Sequence, residues 1–199
     1  MRRSLLIILA IIVFTAAGML MLHFPAERDG AREPAQSAIP DSEQPAGLDA
    51  GLVSFHVQGI DGGEYTQDIF KDYAMTLVNV WGTYCDPCIR EMPALGELYE
   101  EYVPKGVNIV GIVVDVQDKE LKVIEEQRSL AQEIAEKTGA DYVHLMISEE
   151  MIDSVLSRFS AIPASFFVDS DGNIISEFYI GAREKEEWIE IIEEHLEKL

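Results

Sequence analysis

The sequence contains little cysteine and little positive charge. Among 199 residues there are two cysteines, Cys85 and Cys88, so a scaffold of several disulfides and a four-cysteine zinc site are both excluded. Lys and Arg total 15 against 36 Asp and Glu, which gives a net charge of −21. A nucleic-acid partner is therefore not expected, since phosphate binding needs a basic face. Hydrophobic residues make up 48% of the chain, which is enough for a folded core.

The N-terminus carries a long uncharged, apolar run over residues 5–22, preceded by two arginines. A helix of this length spans about 27 Å, close to the ~30 Å hydrocarbon core of a bilayer. We predict a transmembrane anchor within residues 1–25, with the N-terminus cytoplasmic and the rest of the chain extracytoplasmic. A signal peptide cleaved near Ala17 or Gly18 is the alternative, but the apolar run continues past that point and favours the anchor.

Residues 26–50 differ sharply in composition from the run before them. Prolines at positions 34, 40 and 45 are scattered among small and polar residues, with little that could be buried. This composition is typical of a flexible linker. The folded domain is therefore predicted over residues 51–199, where most of the acidic residues lie.

Within residues 51–199, apolar patterns and turn signals predict a single α/β domain. A β-hairpin turning at residues 61–63 comes first. Predicted strands then cover residues 75–81, 107–114, 142–147, 164–168 and 174–179, the last two joined by a tight turn at residues 169–172. Predicted helices cover residues 86–102, 118–139 with Asp118 as the N-cap, a short stretch after Ser148, and 184–199. This order predicts a central mixed sheet with helices on both faces and an N-terminal hairpin extension.

The two cysteines lie where a predicted strand passes into a predicted helix. Cys85 is placed at the helix N-terminus, where free N–H groups and the helix dipole favour a thiolate. Cys88 follows one turn later, near enough to form a small disulfide ring, and Pro87 is tolerated in a first helical turn. An exposed thiol that attacks and a sheltered thiol that resolves are what thiol–disulfide exchange requires.

A static disulfide or half of a metal site are the alternatives. A disulfide between Cys85 and Cys88 closes a very short loop and would add little stability. His56, His144 and His195 show no spacing that would complete a metal site, so no metal is predicted. No cofactor-binding motif occurs elsewhere, and the redox-active Cys85–Cys88 pair is expected to work without a further cofactor.

The segment Val78-Asn79-Val80-Trp81-Gly82-Thr83-Tyr84-Cys85-Asp86-Pro87-Cys88, with Glu91-Met92-Pro93 and Ile162-Pro163 after it, resembles the thioredoxin fold. More narrowly, it resembles the membrane-anchored TlpA/ResA group of thiol–disulfide oxidoreductases, over residues 51–199. The resemblance implies that Pro163 is a cis-proline facing the active site and that the backbone of Ile162 pairs with an extended substrate. A simple stiffening of the loop is the alternative for this dipeptide.

The resemblance also concerns two polar positions. Asn79 stands where ordinary thioredoxins carry a buried acid, and an amide cannot take up a proton. Glu91 matches an acid that ResA-like proteins place beside the thiols, and its helical spacing puts it near Cys88. We hypothesise that Glu91 handles the proton when a mixed disulfide is resolved. The alternative is that Glu91 is one more acid of an acid-rich helix.

Four residues around the thiols are candidates for contact with substrate: Trp81, Tyr84, Asp86 and Pro87. For Trp81, packing in the core is the alternative. Asp86 and Glu91 would raise the pKa of a nearby thiol, so a mild reductant is expected rather than an oxidase.

These observations predict a protein-disulfide reductase tethered outside the cytoplasm. By resemblance, the client is a disulfide-containing exported protein such as apocytochrome c, and a membrane thiol-reductant donor restores the dithiol. Three alternatives stay open: a thiol peroxidase of the peroxiredoxin type, an extracytoplasmic oxidase or isomerase, and a copper-handling module. The peroxidase would carry Thr where Gly82 stands, and the copper module would need a His to complete its site.

Overall fold

The computed structural model describes residues 51–52 and 54–199. The predicted anchor (1–25) and linker (26–50) lie outside the described residues. In the described part of the chain, no helix is both long and apolar enough to cross a membrane.

The architecture is a five-stranded mixed sheet preceded by a separate two-stranded hairpin. The hairpin strands are β1 (His56–Gln58) and β2 (Glu64–Thr66). The main sheet contains β3 (Met75–Trp81), β4 (Val107–Val113), β5 (Val143–Leu145), β6 (Ala164–Val168) and β7 (Tyr179–Ile180). The helices are α1 (Asp86–Tyr102), α2 (Glu125–Thr138), α3 (Glu149–Ser154) and α4 (Lys185–Leu196).

The sheet order is β5-β4-β3-β6-β7. Strand β3 is central, parallel to β4 and antiparallel to β6. The hairpin contacts the β5 edge, where Met146 N donates to Gln58 O and Ile60 N donates to His144 O, both at 2.9 Å. The predicted mixed sheet and N-terminal hairpin are confirmed.

Two apolar clusters cover the two faces of the sheet because successive side chains of β3 point to opposite sides. Leu77 and Trp81 join one cluster, which α1, α2 and α4 complete. Val78 and Val80 join the other, which contains residues of the hairpin and of α3. The predicted helices on both faces are confirmed, and Asn79 falls on the face covered by α1 and α4.

The prediction that Asp118 caps the second helix is wrong. The Asp118 carboxylate instead accepts hydrogen bonds from Glu120 N and Lys122 N, both at 2.9 Å, which closes a turn. Leu121 within that turn has a φ of 57° and interrupts any helix there. Helix α2 therefore begins at Glu125. Gly139 ends α2 in the left-handed conformation, as predicted.

The strand predicted over residues 174–179 is also wrong for most of its length. The turn at residues 169–172 forms, with Gly172 N donating to Asp169 O at 3.1 Å, and Ile174 makes a single bridge to Val168. The Ser176 hydroxyl then accepts from Phe167 N at 2.8 Å and takes the place of a backbone carbonyl in the ladder. Regular pairing resumes only in the two-residue strand β7.

Candidate active site

The two cysteines lie at the junction between β3 and α1 and form a disulfide, with their Cα atoms 5.2 Å apart. Cys85 is the N-cap of α1, and its Sγ accepts a hydrogen bond from Cys88 N at 3.3 Å. Pro87 occupies the first turn, as predicted. Both cysteines are buried, Cys85 at 6% exposure and Cys88 at 1%, so Cys85 is the slightly more exposed residue. The assignment of Cys85 as the attacking thiol and Cys88 as the resolving thiol stays a prediction.

A carboxylate fixes the turn that leads into Cys85. Thr83 N donates to both oxygens of Asp115 at 3.0 Å, and the Thr83 hydroxyl donates to the same carboxylate. Asp115 lies just beyond the end of β4, beside β3 in the sheet. Sequence reasoning missed Asp115, since the two residues are 32 positions apart and are brought together only by the sheet.

The same turn is closely packed at Gly82. A β-carbon there would lie 3.0 Å from the Tyr84 ring and 3.3 Å from Ile162 Cδ1. A threonine at position 82 would therefore displace both neighbours. The Tyr84 side chain itself is 70% exposed and stands next to the disulfide in sequence.

The Ile162–Pro163 peptide bond is cis, and it brings the second predicted segment to the disulfide. Ile162 O lies 3.8 Å from Cys85 Sγ. An adjacent cavity of about 410 Å³ is lined by Tyr84, Phe159, Ser160, Ala161 and Ile162. Ile162 thus lies beside Cys85 Sγ and shares the lining of the cavity with Tyr84, whereas Pro163 is buried.

Trp81 does not belong to this exposed surface. Its side chain is fully buried, and its indole N–H donates to His144 Nδ1 at 3.1 Å. The predicted contact of Trp81 with substrate is therefore corrected: the residue packs in the core behind the disulfide. His144 Nε2 lies 3.0 Å from Ala140 O, which satisfies the other ring nitrogen. Asp86, by contrast, is exposed beside Cys85.

Glu91 is the buried carboxylate of the site, at 3% exposure. Its Oε1 accepts from Trp188 Nε1 at 2.8 Å and from Arg183 N at 2.9 Å. Its Oε2 accepts from Asn79 Nδ2 at 3.3 Å. Burial raises the pKa of Glu91, and these three hydrogen bonds oppose that rise without cancelling it. Glu91 is thus a buried acid one helical turn from Cys88 and not one more surface acid.

Sequence reasoning identified Glu91 and Asn79 and missed their other partners. Nothing in the sequence pairs Trp188 with a residue 97 positions away. Asn79 Nδ2 also donates to Ser165 Oγ at 3.0 Å, a contact that follows from the antiparallel register of β3 and β6. Among the described residues, no three His, Cys, Asp or Glu side chains are grouped to hold a metal ion.

A disulfide at the N-terminus of α1, with a cis-proline directly before the adjacent strand β6, is the arrangement typical of a thioredoxin-fold oxidoreductase. The sequence profile of the AhpC/TSA family matches residues 49–177. The thiol–disulfide oxidoreductase ResA of Bacillus thuringiensis subsp. konkukian is 32% identical over 148 residues, 73% of this chain and 75% of the relative. The ResA protein of Geobacillus kaustophilus is 31% identical over 147 residues, 73% of this chain and 74% of the relative.

A solved structure gives the same result. The thiol:disulfide interchange protein of the thioredoxin family from Chlorobium tepidum TLS superimposes with a TM-score of 0.59 at 25% identity, covering 72% of this chain and 94% of that one. The chain belongs to the AhpC/TSA family and, within it, to the ResA-like thiol–disulfide oxidoreductases. The predicted fold and enzyme class are confirmed.

Proposed function

We propose that this oxidoreductase works as a reductase of protein disulfides outside the cytoplasm, held at the membrane by its N-terminal segment. The observation that carries the proposal is the asymmetry of the site. Cys85 is the more exposed of the two cysteines, at 6% against 1%, and Cys88 lies one helical turn from a buried carboxylate whose pKa is raised by burial. The apolar run over residues 5–22 supports the membrane attachment.

The reaction begins from the reduced dithiol. The Cys85 thiolate attacks one sulfur of the client disulfide, which forms a mixed disulfide and releases the other client sulfur as a thiolate. Glu91 takes the proton from the Cys88 thiol, and the Cys88 thiolate then attacks Cys85 Sγ. This step breaks the mixed disulfide and forms the Cys85–Cys88 disulfide. The client has gained two electrons and, after protonation, two thiols.

The surroundings of Cys85 support the reductive direction. A strong oxidant needs a stabilised thiolate, but here the Ile162 carbonyl oxygen lies 3.8 Å from the sulfur and the Asp86 carboxylate is its neighbour in the chain. Negative charge near a thiol raises its pKa and makes the oxidised form relatively more stable. The hydrogen bond from Cys88 N and the helix terminus act in the opposite direction.

The same dithiol needs no further cofactor to carry two electrons, and it must be reduced again after each cycle. A membrane thiol-reductant donor would supply those electrons through a second thiol–disulfide exchange at Cys85. The proposed client is an exported protein with a disulfide, with apocytochrome c as the first candidate on the family resemblance. In that client the reduced cysteines would become available for haem attachment.

Replacing the resolving cysteine tests the proposal directly. In full-length Cys88→Ser, Cys85 still attacks, but the mixed disulfide cannot be resolved, so the client stays bound and can be identified by mass spectrometry. Cys85→Ser, which lacks the attacking thiol, is the matched control. Recovery of an exported disulfide protein with Cys88→Ser alone supports the proposal, and an apocytochrome would establish the maturation role. Equal recovery with both variants would contradict it.

The location is tested separately in intact cells. A maleimide that does not cross membranes should label the reduced Cys85 if the domain is extracytoplasmic. The Cys85→Ser/Cys88→Ser double variant gives the background. Labelling that appears only after the cells are lysed would place the domain in the cytoplasm and overturn this part of the proposal.

A further inference from the structure

The hydrogen-bond partners of Glu91 create a difficulty for the role proposed for it. As a carboxylate, Glu91 receives three donors: Arg183 N and Trp188 Nε1 at one oxygen, and Asn79 Nδ2 at the other. Once Glu91 takes up a proton it becomes a donor itself. Apart from Cys88, which supplies the proton, the groups at its two oxygens are N–H donors, and a buried donor without an acceptor costs about 1–3 kcal/mol.

Only one of the three partners can accept a hydrogen bond. The backbone N–H of Arg183 and the indole N–H of Trp188 are donors with no acceptor of their own. The Asn79 side chain has an amide nitrogen at one end and a carbonyl oxygen at the other. Among the described residues, Asn79 Oδ1 has no hydrogen-bond partner, although it is fully buried.

The Ser165 hydroxyl completes the arrangement. Asn79 Nδ2 donates to Ser165 Oγ at 3.0 Å and to Glu91 Oε2 at 3.3 Å, so both amide hydrogens are used. A hydroxyl can accept or donate by rotation. If the amide turns over, Oδ1 takes the place of Nδ2 and can accept from the Ser165 hydroxyl and from protonated Glu91. In either protonation state of Glu91 the amide then makes one hydrogen bond to Glu91 and one to Ser165, and its other end occupies the buried position where Oδ1 has no partner among the described residues.

We infer that Asn79 is a positioning residue whose side-chain amide turns over when Glu91 takes up the Cys88 proton, with the Ser165 hydroxyl rotating to follow it. This rests on the proposed role of Glu91 as the proton acceptor. The titratable and charged groups facing Glu91 are Cys88 on α1, the Arg183 guanidinium ahead of α4 and the Tyr142 phenol ahead of β5. Asn79 is uncharged in both orientations, so the turn changes hydrogen bonding without adding charge.

The sequence makes the amide directly observable. Asparagine occurs at positions 79, 108 and 173, so the full-length protein labelled with ¹⁵N-asparagine gives few side-chain amide signals. With Glu91 ionised, the Asn79 amide protons lie near the Ser165 β-protons and give a nuclear Overhauser effect. We expect this effect to be lost at low pH, with the same midpoint as the ¹³C signal of the Glu91 carboxyl. Asn173, whose amide donates to Asp169, is the internal control.

Glu91→Gln provides a second test that does not depend on reaching the Glu91 midpoint. In this variant the carbonyl of the new side chain must accept from Arg183 N and Trp188 Nε1, which leaves its NH₂ group facing Asn79. Asn79 should therefore present Oδ1 at every pH, and its contact with the Ser165 β-protons should be absent throughout. An Asn79 amide that keeps this contact in Glu91→Gln, or through the titration of Glu91, would overturn the inference. Neither measurement requires catalytic activity, so a failure of this inference can be distinguished from a failure of the reductase proposal.

Discussion

Glu91 is subject to two opposing effects that come from different neighbours. Burial disfavours the carboxylate, whereas the N–H groups of Asn79, Arg183 and Trp188 favour it. The net result is a pKa above the usual 4.5, in the direction that brings a general base closer to working pH. Residue Cys88, one helical turn earlier, is the group whose proton Glu91 would take.

Glu91→Gln should alter the pH dependence of the resolving step. In the wild type, the rate at which the mixed disulfide is resolved should rise with pH, with an inflection above 4.5 as Glu91 ionises. In Glu91→Gln this inflection should disappear and the rate should fall roughly 100-fold, a typical loss for a general base. Stopped-flow release of a thiol from a preformed mixed disulfide measures it. The exposed Glu100→Gln on the same helix is the control, and identical profiles for Glu91→Gln and the wild type would contradict the role.

His144 gives a prediction about stability. Burial lowers the pKa of His144 from 6.5 to about 4, so the unfolded chain binds its proton more readily than the folded chain does. Stability contributed by neutral His144 is present above pH 6.5 and is lost as the pH falls towards 4. The loss is about 3 kcal/mol by linkage.

Urea denaturation between pH 4 and 7 measures this loss. His144→Gln, which removes the buried imidazole, should have a lower free energy of unfolding at pH 7 and a shallower decline below pH 6.5. His56→Gln, at an exposed site, should behave like the wild type. A wild-type slope that His144→Gln leaves unchanged would show that other groups are responsible.

Among the elements, those with one or two buried faces were predictable, and those governed by the hydrogen bonds of a single side chain were not. The bounds of β3, β6 and α1 match the predictions because the length and period of each apolar pattern fit only one kind of element, a strand or a helix. Helix α2 and the segment before β7 were mispredicted because Asp118 and Ser176 bond to backbone groups that a regular element would otherwise use. The partners of Glu91 come from β3, from α4 and from the loop before α4, which spacing along the chain does not reveal.

Packing between α1 and the end of α2 leads to a prediction at Gly96. A β-carbon at this position would lie 2.2 Å from Gly139 O, a backbone atom that cannot rotate away. Helix propensity alone would make Gly96→Ala stabilising by about 1 kcal/mol. Because overpacking costs about 1–3 kcal/mol, we expect a net loss in the free energy of unfolding.

Chemical denaturation of Gly96→Ala tests this expectation. Ala94→Gly, at a partly exposed position of the same helix, measures the propensity term by itself and should lose about 1 kcal/mol. A more stable Gly96→Ala protein would mean that α1 can move away from the end of α2.

On the scale of the whole molecule, the net charge of −21 bears on the redox chemistry. Most of the acidic residues fall within residues 51–199, so Cys85 sits in a domain of strongly negative potential. Such a field disfavours the thiolate and adds to the local effect of Asp86. The acidity thereby favours a reductant in addition to keeping the surface solvated.

Salt should therefore lower the pKa of the Cys85 thiol in the reduced protein. Raising the ionic strength from 0.01 M to 1 M shortens the Debye length from about 30 Å to about 3 Å, which removes repulsion from distant carboxylates. Thiolate absorbance followed against pH at both salt concentrations measures the shift, with glutathione in the same buffers as the reference. Asp86→Asn separates the effect of the neighbouring acid from that of the other carboxylates. In this variant the pKa of the Cys85 thiol should be lower at low salt and should still fall when salt is added. A Cys85 pKa that stays constant or rises would show that the helix terminus and Cys88 N dominate, and that the charge of the domain does not reach the sulfur.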